Sequence, residues 1–107
     1  MRSERTAVGV RTADEVFAAL EELSMCRRPW TDFEQGLLQA YRWAVGSRAV
    51  GPVTGDRATG PVGPCRAQLL AECQAATVRL RGSGEPELTL GAYSALAWVC
   101  GYLDDRP

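Results

Sequence analysis

The sequence predicts an all-α domain of four helices, arranged bundle-like as two helical hairpins, and three features carry that expectation. Leu88 to Leu103 is a run of sixteen residues without a charged side chain. Two threonine-led capping signatures, T-A-D-E at Thr12 and T-D-F-E at Thr31, each open a stretch with apolar residues at helical spacing. Between them and the apolar run lies a glycine- and proline-rich segment, residues 46–63, that separates one pair of helices from the other. The expected helices cover residues 12–24, 31–46, 64–81 and 88–101. With 107 residues the chain has the length of one domain, with a polar arm at 1–11 and a polar tail at 102–107.

The first helix starts at Thr12, where Glu15 completes the capping box. Ala13, Val16, Phe17, Leu20 and Leu23 form its apolar stripe. Asp14, Glu15, Glu21 and Glu22 lie off that stripe, the first two favourably placed at the positive end of the helix dipole. This acidic face reads as a solvated surface or as a docking face for a basic partner. Ser24 to Trp30, S-M-C-R-R-P-W, is the connection, and Pro29 prevents a helix from continuing through it. Arg27, Arg28 and Trp30 are candidate interface residues, because guanidinium and indole groups dominate binding hot spots. The other reading of Trp30 is that it folds back on the first turn of the next helix as a hydrophobic staple.

The second helix opens at Thr31 and ends at Gly46, with Phe33, Leu37, Leu38, Tyr41, Ala44 and Val45 expected inside and Asp32, Gln35, Gln39 and Arg42 outside. The loop that follows has glycine at 46, 51, 55, 60 and 63 and proline at 52 and 61, a composition that argues against regular structure. It lacks the Gly-Lys-Ser/Thr ending of a phosphate loop and the acidic ligands of a calcium loop. It reads as a tether or as a partner-binding loop, whose charged candidates are Arg48, Asp56 and Arg57. Pro64 is expected at the first position of the third helix. Cys65, Leu69, Cys73, Ala76 and Leu80 make its apolar stripe, with Gln68 and Glu72 outside and Gly82 as terminator.

The fourth helix is expected to be capped by Thr89 and ended by Gly101. Leu90, Tyr93, Leu96, Ala97, Val99 and Cys100 cover nearly its whole circumference, the mark of a core helix or a membrane span. The run is shorter than the roughly 20 apolar residues a bilayer requires, so the core is the expected place. The pattern G-x3-A-x2-W-x2-G occurs in this helix as Gly91, Ala95, Trp98 and Gly101, and in the second as Gly36, Ala40, Trp43 and Gly46. Small residues four apart share a helix face and allow close backbone approach, so the two helices are expected to cross there, with Trp43 and Trp98 beside the crossing.

Composition narrows the chemistry. The net charge is −1, which gives no electrostatic basis for wrapping nucleic acid, and an apolar fourth helix makes a poor recognition helix. All 12 basic residues are arginine, and histidine and lysine are absent, which removes imidazole and amine catalysis. The bias toward arginine, with no asparagine or isoleucine, is that of a high-GC genome. The 4 cysteines, Cys26, Cys65, Cys73 and Cys100, form no C-x-x-C pair, and no signal peptide is evident. Reduced thiols in a cytoplasmic protein, with no cofactor and no metal, are expected; a four-cysteine metal site or a disulfide are the alternatives.

The block T-D-F-E-Q-G-L-L-Q-A-Y-R-W-A-V-G and the following G-P-V-T-G, Thr31 to Gly55, resembles a pattern of small uncharacterised helical proteins of actinobacteria, their phages and mobile elements. That pattern reads T-P-(F/Y)-E-x-G-x-x-x-A-L-x-W-x-L-G; Asp32 stands in place of its proline and Tyr41 in place of its leucine. The resemblance implies a helix and a provenance, and brings no activity or site residue with it. The expected function is therefore non-enzymatic protein binding, as a small adaptor, regulator or inhibitor acting on a host protein. The alternatives are a homodimer paired through the G-x3-A-x2-W faces, and a cysteine-based metal or redox sensor.

Overall fold

The computed structural model describes residues 7–8, 10–25, 29–60, 63–82 and 86–107. Among these residues a short antiparallel ladder, β1 (Ala7–Val8) with β2 (Arg11–Thr12), precedes four helices. They are α1 (Ala13–Ser24), α2 (Asp32–Ala44), α3 (Arg66–Arg81) and α4 (Pro86–Cys100). The helices pack on one another: α4 lies along both α2 and α3, and α1 lies against α2. No described helix is long and apolar enough to cross a membrane.

Local chemistry sets the helix ends. The Thr12 hydroxyl accepts from the Glu15 amide at 3.2 Å, and the Glu15 carboxylate accepts from the Thr12 amide at 2.8 Å. Thr31 and Glu34 repeat this at 3.1 and 2.9 Å, so both helices start where a side chain can satisfy an orphan amide. Gly46 and Gly101 take φ of 84° and 91°, the left-handed turn that ends α2 and α4. Two expected starts are corrected. Pro86, not Thr89, opens α4, since a ring without an N–H suits the first helical position; Thr89 falls inside the first turn and is buried. Cys65 is the N-cap of α3, and Pro64 precedes it.

The core forms where α2 and α4 cross. A Cβ on Gly36 would stand 2.1 Å from the Leu88 carbonyl oxygen, and one on Gly91 would stand 2.0 Å from that of Phe33. The two backbones therefore touch with no side chain between them. Ala40, Trp43, Ala95 and Trp98 are all buried along the same contact. Tyr41 meets Trp98 edge to face, 5.9 Å between ring centroids at 86°. Burying an aromatic ring of this size removes roughly 150–250 Å² from water, about 4–6 kcal/mol gross at 25 cal/mol per Å². The Tyr41 hydroxyl and the Trp43 indole N–H have no hydrogen-bond partner among the described residues, which offsets about 1–3 kcal/mol each. Hydrophobic burial still prevails.

Three further expectations are corrected. Phe17 is 50% exposed: α1 packs more on α2 than on any other element and turns Val16, Ala19 and Leu23 into the core, leaving Phe17 outside. Glu72, expected at the surface, is 2% exposed. The arm is not loose at its inner end. Val10 donates its amide to the Val99 carbonyl at 2.9 Å, and Arg11 bonds the Trp98 and Leu103 carbonyls at 2.8 and 2.7 Å with its guanidinium over the Trp98 ring.

Nor is the glycine-rich segment a plain tether. Val50 and Arg57 form an antiparallel bridge, and the turn between them is closed by Gly51 N–H to the Asp56 carbonyl at 2.9 Å. The excursion lies on α3 through side chains that the helix supplies. Gln68 accepts from the Thr59 amide at 2.8 Å and donates to the Arg57 carbonyl at 2.7 Å. The Arg79 guanidinium reaches the Val53 carbonyl at 3.0 Å.

Candidate functional site

A depression of about 570 Å³ runs between α1 and α2. Phe17, Leu20, Trp30 and Leu38 give it apolar walls; α1 supplies Asp14 and Glu21 to its edge, and α2 supplies Arg42. Sequence builds it in two steps. The Thr12 box fixes the start of α1, so that Phe17 comes round to the open side. Pro29 stops the chain after α1, and Trp30 folds back so that its indole N–H donates to the Leu23 carbonyl at 3.0 Å, satisfying one of the last orphan carbonyls of α1. Trp30 is thus half-buried and held in place. The result is an apolar trough with exposed Asp14 and Glu21 at its edge, and the last turn of α1 carries no basic residue.

A second hollow, about 450 Å³, lies on the other side of α1 over Leu23, Phe33, Leu37 and Tyr41, beneath the tail residue Arg106, which pairs with Glu22. Burial raises the Tyr41 hydroxyl far above the ordinary tyrosine range, so it stays a neutral phenol.

The third polar feature is the Glu72 carboxylate. It accepts from the Val53 amide, from the Thr54 amide at 2.9 Å and from the Thr54 hydroxyl at 2.7 Å. A Cβ on Gly51 would come within 2.6 Å of its oxygen, so a side chain there would displace the carboxylate. With its lone pairs engaged by three donors, this carboxylate is an anchor for the loop and not a free acid or base.

The thiols divide into two settings. Cys65 is exposed at the N-terminus of α3, where the Gln68 amide and the Thr59 hydroxyl favour its thiolate and lower its pKa below the usual 9.0. Cys73 of α3 is buried and Cys100 of α4 half-buried, on two helices that pack on each other. Hydrogen bonding to Cys100 and burial both push the Cys73 thiol up, while the Cys73 thiol and the Arg66 guanidinium hold Cys100 down. No group of three or more metal-ligating side chains occurs among the described residues.

The residues singled out from sequence fall in different places. Arg27 and Arg28 lie outside the described residues, as does Cys26. Trp30 lines the groove. Arg48 turns inward to the Val50 carbonyl at 3.0 Å, while Asp56 and Arg57 are exposed at the far side of the loop turn, away from the groove lining. Gly36, Ala40, Trp43, Gly91, Ala95 and Trp98 are all interior. Sequence reasoning missed Phe17, Gln68, Glu72 and Arg11. For Phe17 a signal existed: Ala19 competes with it for the inner face, and a small residue marks the closer approach. Compared with protein-family models, with curated proteins and with solved structures, the chain matches none.

Proposed function

We propose that the protein is a non-enzymatic protein-binding module, a cytoplasmic adaptor, regulator or inhibitor of the kind carried by actinobacteria and their mobile elements, and that it docks its partner in the α1–α2 groove. The observation that carries this is the half-exposed Phe17 over a trough walled by Leu20, Trp30 and Leu38. Aromatic and aliphatic groups around a concave centre are the usual anchors of a protein interface. The Asp14 and Glu21 side chains at the groove edge favour a partner segment that is itself amphipathic and basic, laid into the groove as a helix. Self-association through the two G-x3-A-x2-W faces is less well supported, because those faces cover each other within one chain.

The test uses Phe17→Asp, with Val78→Asp as a control on α3, where Val78 is 68% exposed outside the groove. Quantitative pull-downs from a high-GC actinobacterial lysate are expected to recover a defined protein with the wild type and the control but not with Phe17→Asp. Circular dichroism melts of all three chains check that the fold is retained. Equal recovery by the wild type and Phe17→Asp would remove the groove as the docking surface.

A further inference from the structure

The hollow on the other side of α1 is used neither by the groove nor by the loop anchor, and one buried hydroxyl gives it a chemical direction. At about 450 Å³ it falls within the roughly 300–1,000 Å³ of small-molecule sites. Ala19 and Leu23 of α1 and Phe33 and Leu37 of α2 make its apolar walls. Phe33, Leu37 and Tyr41 follow one another at four-residue spacing along one face of α2. A helical side chain leans toward the N-terminus of its helix, so the Tyr41 ring leans back over Leu37 and toward the hollow that both line. Tyr41 is 1% exposed, and its hydroxyl has no hydrogen-bond partner among the described residues. A buried donor left unpaired is costly, and in an otherwise apolar wall it marks where an acceptor fits. Besides burial, which raises its pKa, two charges act on that hydroxyl. They are the Arg106 guanidinium and the Glu22 carboxylate, and both stand at the rim of the same hollow.

We propose that this hollow binds a small uncharged molecule with an apolar body and one carbonyl oxygen, which accepts the hydrogen bond of the Tyr41 hydroxyl. The site does not depend on what the groove docks. Burial keeps the phenol neutral, and a neutral phenol is a strong donor but a weak acceptor, because its lone pair is shared with the ring. A ketone, ester or amide oxygen therefore suits it. The rim selects against charge. Arg106 is paired with Glu22, and Glu34 closes the capping box with Thr31, so neither a carboxylate nor an ammonium gains a partner there without breaking an existing contact. The tail covers the site. The Tyr102 and Leu103 amides tie the chain to the Ala97 carbonyl at 2.8 and 3.3 Å; beyond them the tail is exposed, and Arg106 and Pro107 lie over the hollow. The ion pair that draws them there is partly open to water, with 31% and 70% of its two side chains exposed, so it opposes entry weakly. Lifting the tail brings the hydroxyl within reach of a ligand.

The experiment compares acetophenone with α-methylstyrene, the same shape with a methylene group in place of the oxygen, by proton–carbon NMR titration of the full chain and of Tyr41→Phe. Acetophenone is expected to shift the Leu23 and Leu37 methyls and the Phe33 ring but not Phe17, with a Kd of roughly 0.1–1 mM for a ligand of this size. The ratio of the two Kd values should differ by about fivefold between the wild type and Tyr41→Phe, favouring the ketone where the hydroxyl is present. Arg106→Ala should bind acetophenone roughly 1.5- to 5-fold tighter, since the pair that holds the cover is gone. Without ligand, Tyr41→Phe should melt no lower than the wild type, because the hydroxyl it removes has no bond to lose. No shift at Leu23, Leu37 or Phe33 up to the solubility limit of acetophenone would overturn the proposal, and so would the same Kd ratio in both chains. A lower melting temperature for Tyr41→Phe would overturn it as well, by showing that the hydroxyl already has a partner. Binding to Arg106→Ala no tighter than to the wild type would overturn the tail as the cover.

Discussion

Glu72 shows how one buried side chain organises a stretch that composition marks as irregular. The 51–55 turn presents the Val53 and Thr54 amides and the Thr54 hydroxyl, and a carboxylate satisfies all three while three donors replace the water it gave up. Glu72→Gln keeps the shape but replaces charge-assisted bonds by neutral ones, and is expected to cost about 1–2 kcal/mol. Thr54→Val removes one charge-assisted bond and should cost about 1–2 kcal/mol, and the double variant less than the sum, because the two share one interaction. Urea unfolding checks the totals. Hydrogen exchange is the sharper readout, since the Val53 and Thr54 amides should lose protection before α3 does. Protection unchanged in Glu72→Gln would show that the carboxylate does not hold the loop. None of this was legible in the sequence, where Glu72 falls on the polar side of a 3.6-residue pattern. A periodic reading sees only the helix to which a residue belongs, and the partners of Glu72 come from another segment. Phe17 illustrates the same limit from the apolar side, since its stripe is wider than the surface that the neighbouring elements cover.

Elements were easier to read because their signals are local. Both threonine boxes act within four residues, and both set helix starts in the structure; Gly46 and Gly101 likewise end α2 and α4 by a conformation of their own backbone. The start of α4 was misread because Thr89 and Pro86 are both suitable openers, and only the packing of the first turn distinguishes them. The contact between α2 and α4 depends on two positions without side chains. Gly36→Ala or Gly91→Ala would drive a methyl group into a backbone carbonyl of the facing helix, so one backbone must move. The expected cost is about 3 kcal/mol, a fall in melting temperature of roughly 12–24 °C for a domain of this size. Gly82→Ala is the internal control: its nearest neighbour would be 3.7 Å away and its φ of −89° suits any residue, so it should be neutral or slightly stabilising. Equal melting temperatures for Gly36→Ala and Gly82→Ala would mean the helices do not touch at the glycines.

At the scale of the whole molecule the two ends of the described chain meet at one place, the C-terminus of α4. That helix has no basic residue in its last turn to complement its dipole or its unpaired carbonyls. Arg11, from the strand before α1, provides both. Its Nε and Nη2 bond the Trp98 and Leu103 carbonyls at 2.8 and 2.7 Å, its guanidinium lies 4.8 Å from the Trp98 ring centroid, and the neighbouring Val10 amide takes the Val99 carbonyl. The cap is thus supplied by a residue nearly a whole chain length away, which is why the sequence offered no sign of it. It also explains why β2 runs directly into α1: the Thr12 box starts the helix one residue after Arg11 has been committed to α4. Arg11→Ala is expected to lower stability by about 1–2 kcal/mol, the yield of charge-assisted bonds that are partly open to solvent. Arg11→Lys should recover less than half of that, because an ammonium cannot hold two divergent carbonyls and stack on the indole at once. Hydrogen exchange at the Val10, Tyr102 and Leu103 amides should quicken in both variants while α2 remains protected. If Arg11→Lys is as stable as the wild type, the contact is a point charge on a dipole. If only the forked geometry suffices, the N-terminal segment is a built-in cap, and removing it frees the end of α4 that carries Cys100.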